Sequence, residues 1–159
     1  MRQVAVIAVI AMLALGSVAG AQEFPVLQRQ LDRIDAEPKG EMIGYVAAAR
    51  IAAKEMTPGK LKKAPGRYVG VPVAFNAKIV EITEQNGATF TRVESGDLVL
   101  FVVGRFLTDF EERDRVGVIG YLAGTFEYTS QAGWNISIPA VAARAIVGAK
   151  EFARLSGKK

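Results

Sequence analysis

The sequence predicts a mainly β fold with N-terminal helices, an α+β chain in which five strands close into one small Greek-key barrel. Three observations predict it. Residues 64–147 read as five strands in series, and after Gly70 the spacing of apolar residues changes from helical to alternating, which is the period of strands. Turn residues divide this block at short intervals, with one longer connection between the third and fourth segments. The residues before the block have helical spacing instead, so we expect helices outside the barrel.

Two helices are predicted in an N-terminal helical extension over residues 22–56. The first carries Leu27, Leu31 and Ile34 at i, i+4 and i+7, a narrow apolar stripe. The helix is predicted to end in the stretch 37–40, where Pro38 and Gly40 interrupt the helical pattern. A second helix is predicted over residues 41–56, because its alanines favour helix and allow close approach to another surface.

A short third helix is predicted to begin at Thr57-Pro58, where Thr is the N-cap and Pro the first helical residue. The strands follow. One face of the first strand carries Val71, Val73, Phe75, Ala77 and Ile79. A β-bulge is expected at residues 80–82, where the alternation slips. Asn86-Gly87 then predicts a tight hairpin to the second strand, since both residues tolerate positive φ.

The third strand, residues 98–103, is apolar on both faces, which predicts a central strand covered on its outer side. Residues 104–114 form the longest connection. The fourth strand is predicted from residue 115 to about 123, with Gly117 and Gly120 where the chain bends or packs closely. The fifth is predicted to be split by Gly133-Trp134 and to continue to residue 146.

Five strands with a longer link between the third and fourth fit the OB-fold, and a small barrel of the SH3 kind is the alternative. The first strand is about 12 residues long, enough to bend and pair on both sides as an OB barrel requires. We therefore assign the OB-fold-like barrel to residues 57–148. Residues 149–159 are predicted to form a short C-terminal helix and a basic tail.

The start of the barrel resembles that of bacterial OB-fold proteins called tRNA_anti-like, in which an Asn-Pro-like turn, a Tyr and a Gly precede the first strand. Here residues 61–70 read LKKAPGRYVG, with Ala64 where Asn is common. Residues 76–79, NAKI, replace the usual Gly-Lys-Val step. The second half of the barrel sequence is more similar to the family, at residues 118–121, 124–125, Tyr128, Gly133 and 138–143.

This resemblance covers about residues 57–147 and leaves the N-terminal helices unexplained. It implies the OB architecture and kinship with anticodon-binding barrels. Many members of the family look secreted and have no assigned activity, so the resemblance transfers no functional residues.

The N-terminus has the form of a signal peptide over residues 1–21. Arg2 precedes an uncharged apolar segment, residues 4–21, which ends in the small-x-small sequence Ala19-Gly20-Ala21. The alternative is an uncleaved membrane anchor, since 18 apolar residues approach a spanning length. The small residues favour cleavage, which predicts an exported, periplasmic or extracellular protein that meets the membrane only transiently, through its signal peptide.

The composition excludes most catalytic chemistry. The chain has no His and no Cys, so it lacks the usual nucleophile pairs, the usual zinc ligands and the commonest general base. Asp109, Glu111, Glu112 and Asp114 could bind a hard cation through oxygen. However, they lack the order of a calcium loop, and two arginines sit among them, which favours a solvated loop. We predict no enzyme activity, no cofactor and no metal site.

Two groups of residues are candidates for binding. Tyr128 and Trp134, together with Tyr121, lie on or between the fourth and fifth strands, whose loop borders the usual OB ligand face. Packing in the core or in a turn is the alternative for each. Trp134 is the least core-like, because it follows a polar run and Gly133.

The second group combines a Tyr with four basic residues: Lys60, Lys62, Lys63, Arg67 and Tyr68. The lysines could meet phosphates while the Tyr stacks on a base. Alternatively, the lysines suit the C-terminal dipole of a short helix and Tyr68 packs under the barrel. Anionic lipid headgroups or envelope polymers are other partners for the same charges.

These observations predict an exported, non-catalytic OB-fold binding or interaction module, with a protein or cell-envelope component as its partner. Oligonucleotide or other polyanion binding is the alternative. It is disfavoured because the formal net charge is only +4, and +3 once Arg2 leaves with the signal peptide.

Overall fold

The structure, a computed structural model, describes residues 25–38, 40, 42–130 and 132–157. The predicted signal peptide and the last two residues of the basic tail lie outside them. The helices are α1 (Pro25–Ala36), α2 (Met42–Ala53), α3 (Pro58–Lys63) and α4 (Ala149–Leu155). A 3-10 turn, Pro65–Tyr68, follows α3. No helix within the described ranges has the length and apolar character needed to cross a bilayer.

The helix boundaries follow the sequence closely. Thr57 caps α3, because its hydroxyl accepts a hydrogen bond from the Lys60 amide at 3.3 Å and Pro58 occupies the first turn. The second helix ends at Ala53, three residues earlier than predicted, and a turn leads on to Met56. The predicted closing helix is present as α4.

Five strands form the barrel: β1 (Pro72–Gln85), β2 (Ala88–Ser95), β3 (Leu98–Gly104), β4 (Arg115–Thr129) and β5 (Asn135–Gly148). They close in the order β1-β2-β3-β5-β4. The β3–β5 pair is parallel and the other pairs are antiparallel. This order, with a long first strand that pairs with both β2 and β4, is that of the OB-fold. The predicted fold class is confirmed.

The turn chemistry of the first hairpin is confirmed as well. Asn86 and Gly87 have φ of 52° and 78°, as a type I′ turn requires. The β1–β2 register shifts between Ile79 and Glu81, which is the predicted bulge. The bulge lets β1 bend, so that its first half pairs with β4 and its second half with β2.

The predicted boundaries of the last two strands were wrong. β4 continues past Ala123 to Thr129, because Gly124, at φ 80°, forms a bulge in the ladder instead of ending it. β5 is not split at Gly133. The strand residues before that glycine belong to β4, and Gly133 lies in the hairpin turn, where its amide donates to the Ser130 carbonyl at 2.9 Å.

Two glycines of β4 allow the close packing that their positions predicted. A Cβ at Gly120 would lie 2.0 Å from the carbonyl oxygen of Ala142 on β5. A Cβ at Gly117 would lie 2.2 Å from the ring of Phe152 on α4. Side chains at these positions would push the neighbouring strand and the closing helix off β4.

The core has three parts. The barrel interior takes apolar side chains from all five strands, with Leu61 of α3 below them. A second cluster lies on the outer surface of β2–β5, beneath α1. A third, smaller cluster joins α2 and α4 to β4 through Val46, Phe152, Leu155 and Ile119.

Candidate binding surfaces

The outer surface of β2, β3, β4 and β5 carries a row of aromatic rings. Phe101 and Phe126 are stacked, with ring centroids 4.1 Å apart, and Tyr128 lies 5.9 Å beyond Phe126. Phe90, on β2, belongs to the same cluster. In OB-folds the surface of β2 and β3, with the β1–β2 and β4–β5 loops, binds oligonucleotides and oligosaccharides. The row therefore lies where an OB barrel usually meets its ligand.

This aromatic row is covered by α1. Leu27 and Leu31 pack into its cluster and are each 2 % exposed, while Phe90, Phe101 and Phe126 are at most 1 % exposed. Arg105, in the loop after β3, forms an ion pair with Asp32 of α1 at 2.9 Å and a second one with Asp35. The N-terminal extension thus docks on the barrel, and it occupies the usual ligand surface.

A groove of about 360 Å³ remains beside the first turn of α1. Pro25 and Val26 form one wall, and β4 forms another at Gly124 and Thr125. The rings of Phe101 and Phe126 lie along it. Because those rings are almost fully buried, the groove gives little access to them.

The β4–β5 hairpin extends beyond this covered surface and carries two of the predicted contact residues. Trp134 lies in its turn and is 72 % exposed. Tyr128 lies nearer the barrel, is half-buried and packs on Phe126. The turn is held by the Ser130 amide, which donates to the Trp134 carbonyl at 2.8 Å. The hairpin therefore presents its indole to solvent from an ordered base.

Tyr121 lies apart from the hairpin, beneath α1 and α2. It is 5 % exposed, and its hydroxyl donates to Glu37 at 2.5 Å. The guanidinium of Arg33 lies 3.7 Å above its ring, and the ring of Tyr45 lies 5.3 Å away. These neighbours cover Tyr121, so the structure does not bring it together with Trp134.

The Glu37 carboxylate has further partners. Tyr45 of α2 donates its hydroxyl to Glu37, and Arg144 of β5 pairs with Glu37 at 2.8 Å. Burial and the hydrogen bond to Glu37 raise the pKa of Tyr121 to about 12, against the lowering effect of Arg33. A cleft of about 420 Å³ beside this cluster is lined by Asp35, Arg105 and Arg144 among others. Its charged groups are paired with one another.

The basic segment is brought together on α3 and the 3-10 turn. Lys60, Lys62, Lys63 and Arg67 are exposed, and the first three lie in the last turn of α3, where the helix dipole favours them. Tyr68 is half-buried and packs against the barrel interior. The Tyr68 ring is therefore not exposed for stacking on a nucleic-acid base, although the four basic side chains are exposed to solvent.

The acidic loop before β4 is a turn held by its own residues. The Glu111 amide donates to the Asp114 carboxylate at 2.8 Å, and Arg113 adopts φ 75°. Across the described ranges, no group of three or more acidic side chains is placed to hold a metal ion.

The sequence did not reveal the cluster around Glu37. Its one indication was Arg144, a charge inside the apolar run of the fifth strand. A buried cation in such a run needs a paired acid. The acid proved to lie 107 positions earlier, in the linker between α1 and α2.

No protein-family model matches the chain, and no curated protein matches it. Membership of the tRNA_anti-like family stays a prediction, while the OB architecture that the resemblance implied is confirmed by the strand order.

Solved structures do match. One is a replication protein A heterotrimer bound to ssDNA, at 16 % identity and a TM-score of 0.37, over 54 % of this chain and 65 % of the other. Another is the aspartyl-tRNA synthetase from Entamoeba histolytica, at 8 % identity and a TM-score of 0.39, over 58 % of this chain and 19 % of the other. A third is a putative aspartyl-tRNA synthetase from Leishmania major Friedlin. It matches at 8 % identity and a TM-score of 0.35, over 51 % of this chain and 18 % of the other. The chain spans less than two thirds of each matched chain.

Proposed function

We propose that the protein is an exported, non-catalytic OB-fold binding module that contacts a protein or another cell-envelope component through the tip of its β4–β5 hairpin. One observation carries the proposal. Trp134 is 72 % exposed at that tip, while the surface that OB barrels usually offer to ligands lies under α1.

The tip has the properties of a contact point. Trp and Tyr are the residues most enriched where partners bind, because a rigid aromatic buries much apolar surface at low entropic cost. At the base of the turn, Thr129 and Asn135 are paired in the β4–β5 ladder and joined by a side-chain hydrogen bond at 3.1 Å.

Two features of the sequence support the remaining parts of the proposal. The absence of His and Cys leaves few groups for catalysis near neutral pH. The uncharged segment 4–21 and the Ala19-Gly20-Ala21 sequence support export.

The test is retention of envelope components by the wild-type protein and by two variants. Trp134→Ala removes the exposed ring, and Leu107→Ala is the matched control, since Leu107 is a 61 % exposed apolar residue on another loop. We expect a component that the wild type and Leu107→Ala retain and Trp134→Ala loses, with at least about tenfold weaker binding. Equal retention by all three would remove the hairpin from the proposal.

Tryptophan emission gives a direct second measurement. Trp134 is the only tryptophan of the chain. When the retained component is added back, the emission should shift to shorter wavelength and become less accessible to a soluble quencher. An unchanged spectrum on binding would place the contact elsewhere.

Polyanion binding through the basic segment is the second candidate, and one observation favours it. Lys62, Lys63 and Arg67 are exposed, and none forms an ion pair with another residue of the described ranges. Such binding should weaken with salt, with a slope of about −0.7 per phosphate for single strands. The affinity for the polyanion should fall in the double variant Lys62→Glu with Lys63→Glu, and it should be unchanged in Trp134→Ala. No detectable single-stranded DNA binding at low salt would exclude it.

A further inference from the structure

The outer surface of α2 is apolar and open to solvent. Ile43, Ala47 and Ile51 follow one another at i, i+4 and i+8 and therefore share one side of the helix. Ile43 is 56 % exposed and Ile51 is 69 % exposed, and Gly44 beside them is exposed too. We call the surface formed by Ile43, Gly44, Ala47 and Ile51 the α2 outer face.

The opposite side of the same helix is already buried. Val46 and Ala49 are 2 % and 3 % exposed, and Val46 packs on Ile119 and Phe152. The helix is therefore apolar on both sides and has no acidic residue between Met42 and Ala53. A helix that is apolar on both sides is normally buried on both sides. We therefore expect a partner to bind the α2 outer face and exclude water from it.

The charged residues that follow this face along the chain are mostly positive, although the Arg50 guanidinium is engaged, because it donates to the Ser156 carbonyl at the end of α4. In the described residues 42–68 the cations are Arg50, Lys54, Lys60, Lys62, Lys63 and Arg67, and the one acid is Glu55. Lys54 follows Ile51 by three positions in the turn that extends the helix, so it lies on the same side. The Lys60 ammonium donates to the Glu55 carbonyl at 3.3 Å, which ties α3 to the end of α2.

These charges select among possible occupants. A second copy of the chain would place its own cations against these, and such like-charge contact opposes association. A bilayer surface with anionic headgroups accepts both parts: apolar side chains enter the headgroup–acyl boundary, and nearby lysines meet the phosphates. Because the opposite side of α2 is buried on the barrel, the helix would lie along such a surface and would not cross it.

We propose that α2 docks this protein on an anionic lipid surface, with the α2 outer face in the headgroup–acyl boundary and Lys54 and the α3 lysines against the phosphates. This contact is separate from the hairpin of the proposed function. It also goes beyond the expected transient contact of the N-terminal segment, because it belongs to the folded domain.

A site-specific label tests the proposal in the full chain. Because the sequence has no Cys, one introduced cysteine places an environment-sensitive fluorophore at one position. Ala47→Cys puts it on the α2 outer face, and Leu107→Cys is the control on a distant exposed apolar residue. The probes are vesicles of phosphatidylcholine alone and of phosphatidylcholine mixed with phosphatidylglycerol. The two label positions separate docking of α2 from any insertion of the apolar segment 4–21.

We expect the label at position 47 to enter an apolar environment with the phosphatidylglycerol vesicles only, while the label at 107 stays in water. Lys62→Glu with Lys63→Glu should lower the apparent affinity about tenfold or more, and the charge-preserving Lys62→Arg with Lys63→Arg should retain it. Ile43→Ser with Ile51→Ser should abolish the response at 47, whereas Leu107→Ser should leave it unchanged.

Any one of the following outcomes would overturn the proposal. One is no response at 47, or the same response at 47 and 107. Another is an equal response to neutral and anionic vesicles. A response that grows with protein concentration without lipid would assign the face to a second copy. A response to a single-stranded oligonucleotide in place of vesicles would assign the basic segment to nucleic acid.

Discussion

Glu37 joins three elements that are far apart in the sequence. Its carboxylate accepts hydrogen bonds from Tyr45 of α2 and Tyr121 of β4, and it pairs with Arg144 of β5 at 2.8 Å. The side chain of Glu37 is 23 % exposed, so its charge is partly removed from water and needs these partners. Glu37, in the α1–α2 linker, thereby connects α2 to β4 and β5 of the barrel.

Removing the Tyr121 hydroxyl should change both the stability and its dependence on pH. The pKa of about 12 in the folded protein exceeds 10 in the unfolded chain, so the contribution is present below pH 10 and is lost as the pH rises through 12. The loss should amount to roughly 2–3 kcal/mol. We expect Tyr121→Phe to cost about 1–2 kcal/mol near neutral pH and to weaken this alkaline decline.

Urea unfolding between pH 7 and about 12 measures this effect. Tyr128→Phe, a half-buried Tyr on the outer surface, is the control for the loss of a hydroxyl alone. If Tyr121→Phe kept the alkaline decline of the wild type, ionisation of the buried Tyr121 would not be its cause.

At the level of elements, α1 illustrates what the sequence could and could not predict. The spacing of Leu27, Leu31 and Ile34 predicted a helix with a narrow apolar stripe, and the structure has that helix. Periodicity identifies which side of an element is buried but not the surface that buries it. The aromatic partners of α1 come from strands about 60 to 100 positions later, beyond the reach of any local pattern.

Truncation of the α1 stripe should destabilise the whole domain. Leu31→Ala leaves a cavity against the aromatic row, and we expect it to lower the free energy of unfolding by about 2–5 kcal/mol. Arg29→Ala, on the exposed side of the same helix, should stay within about 0.5 kcal/mol. Denaturant unfolding compares the two. Equal small effects would mean that α1 is only loosely held on the barrel.

For the molecule as a whole, local turn and strand chemistry predicted the architecture well. Asn86-Gly87, the slip near residue 80 and the closing helix were all where the sequence indicated. The predicted end of β4, near residue 123, was wrong because the strand continues through Gly124 to Thr129. In the barrel Gly124 is a bulge, which keeps Phe126 on the outer surface. Its role depends on β5, which no local pattern describes.

Export remains a prediction for the entire chain and has a direct test. Residues 1–24 fused to a reporter enzyme that is active only outside the cytoplasm should give activity, and the fusion without residues 2–21 should not. The mature protein should begin at Gln22, which mass spectrometry reads directly. Ala19→Asp with Ala21→Asp should block processing, because the peptidase pocket accepts small side chains. Cytoplasmic retention of the first fusion would refute export.

The late position of β5 sets the order in which the barrel can form. Its pairing with both β3 and β4 closes the sheet, and β3 and β4 keep unpaired edges until it arrives. Parallel pairing between distant segments is intrinsically slow. A chain synthesised only as far as β4 is therefore an unfinished sheet, and we expect the domain to gain its resistance to proteases only once β5 has been added.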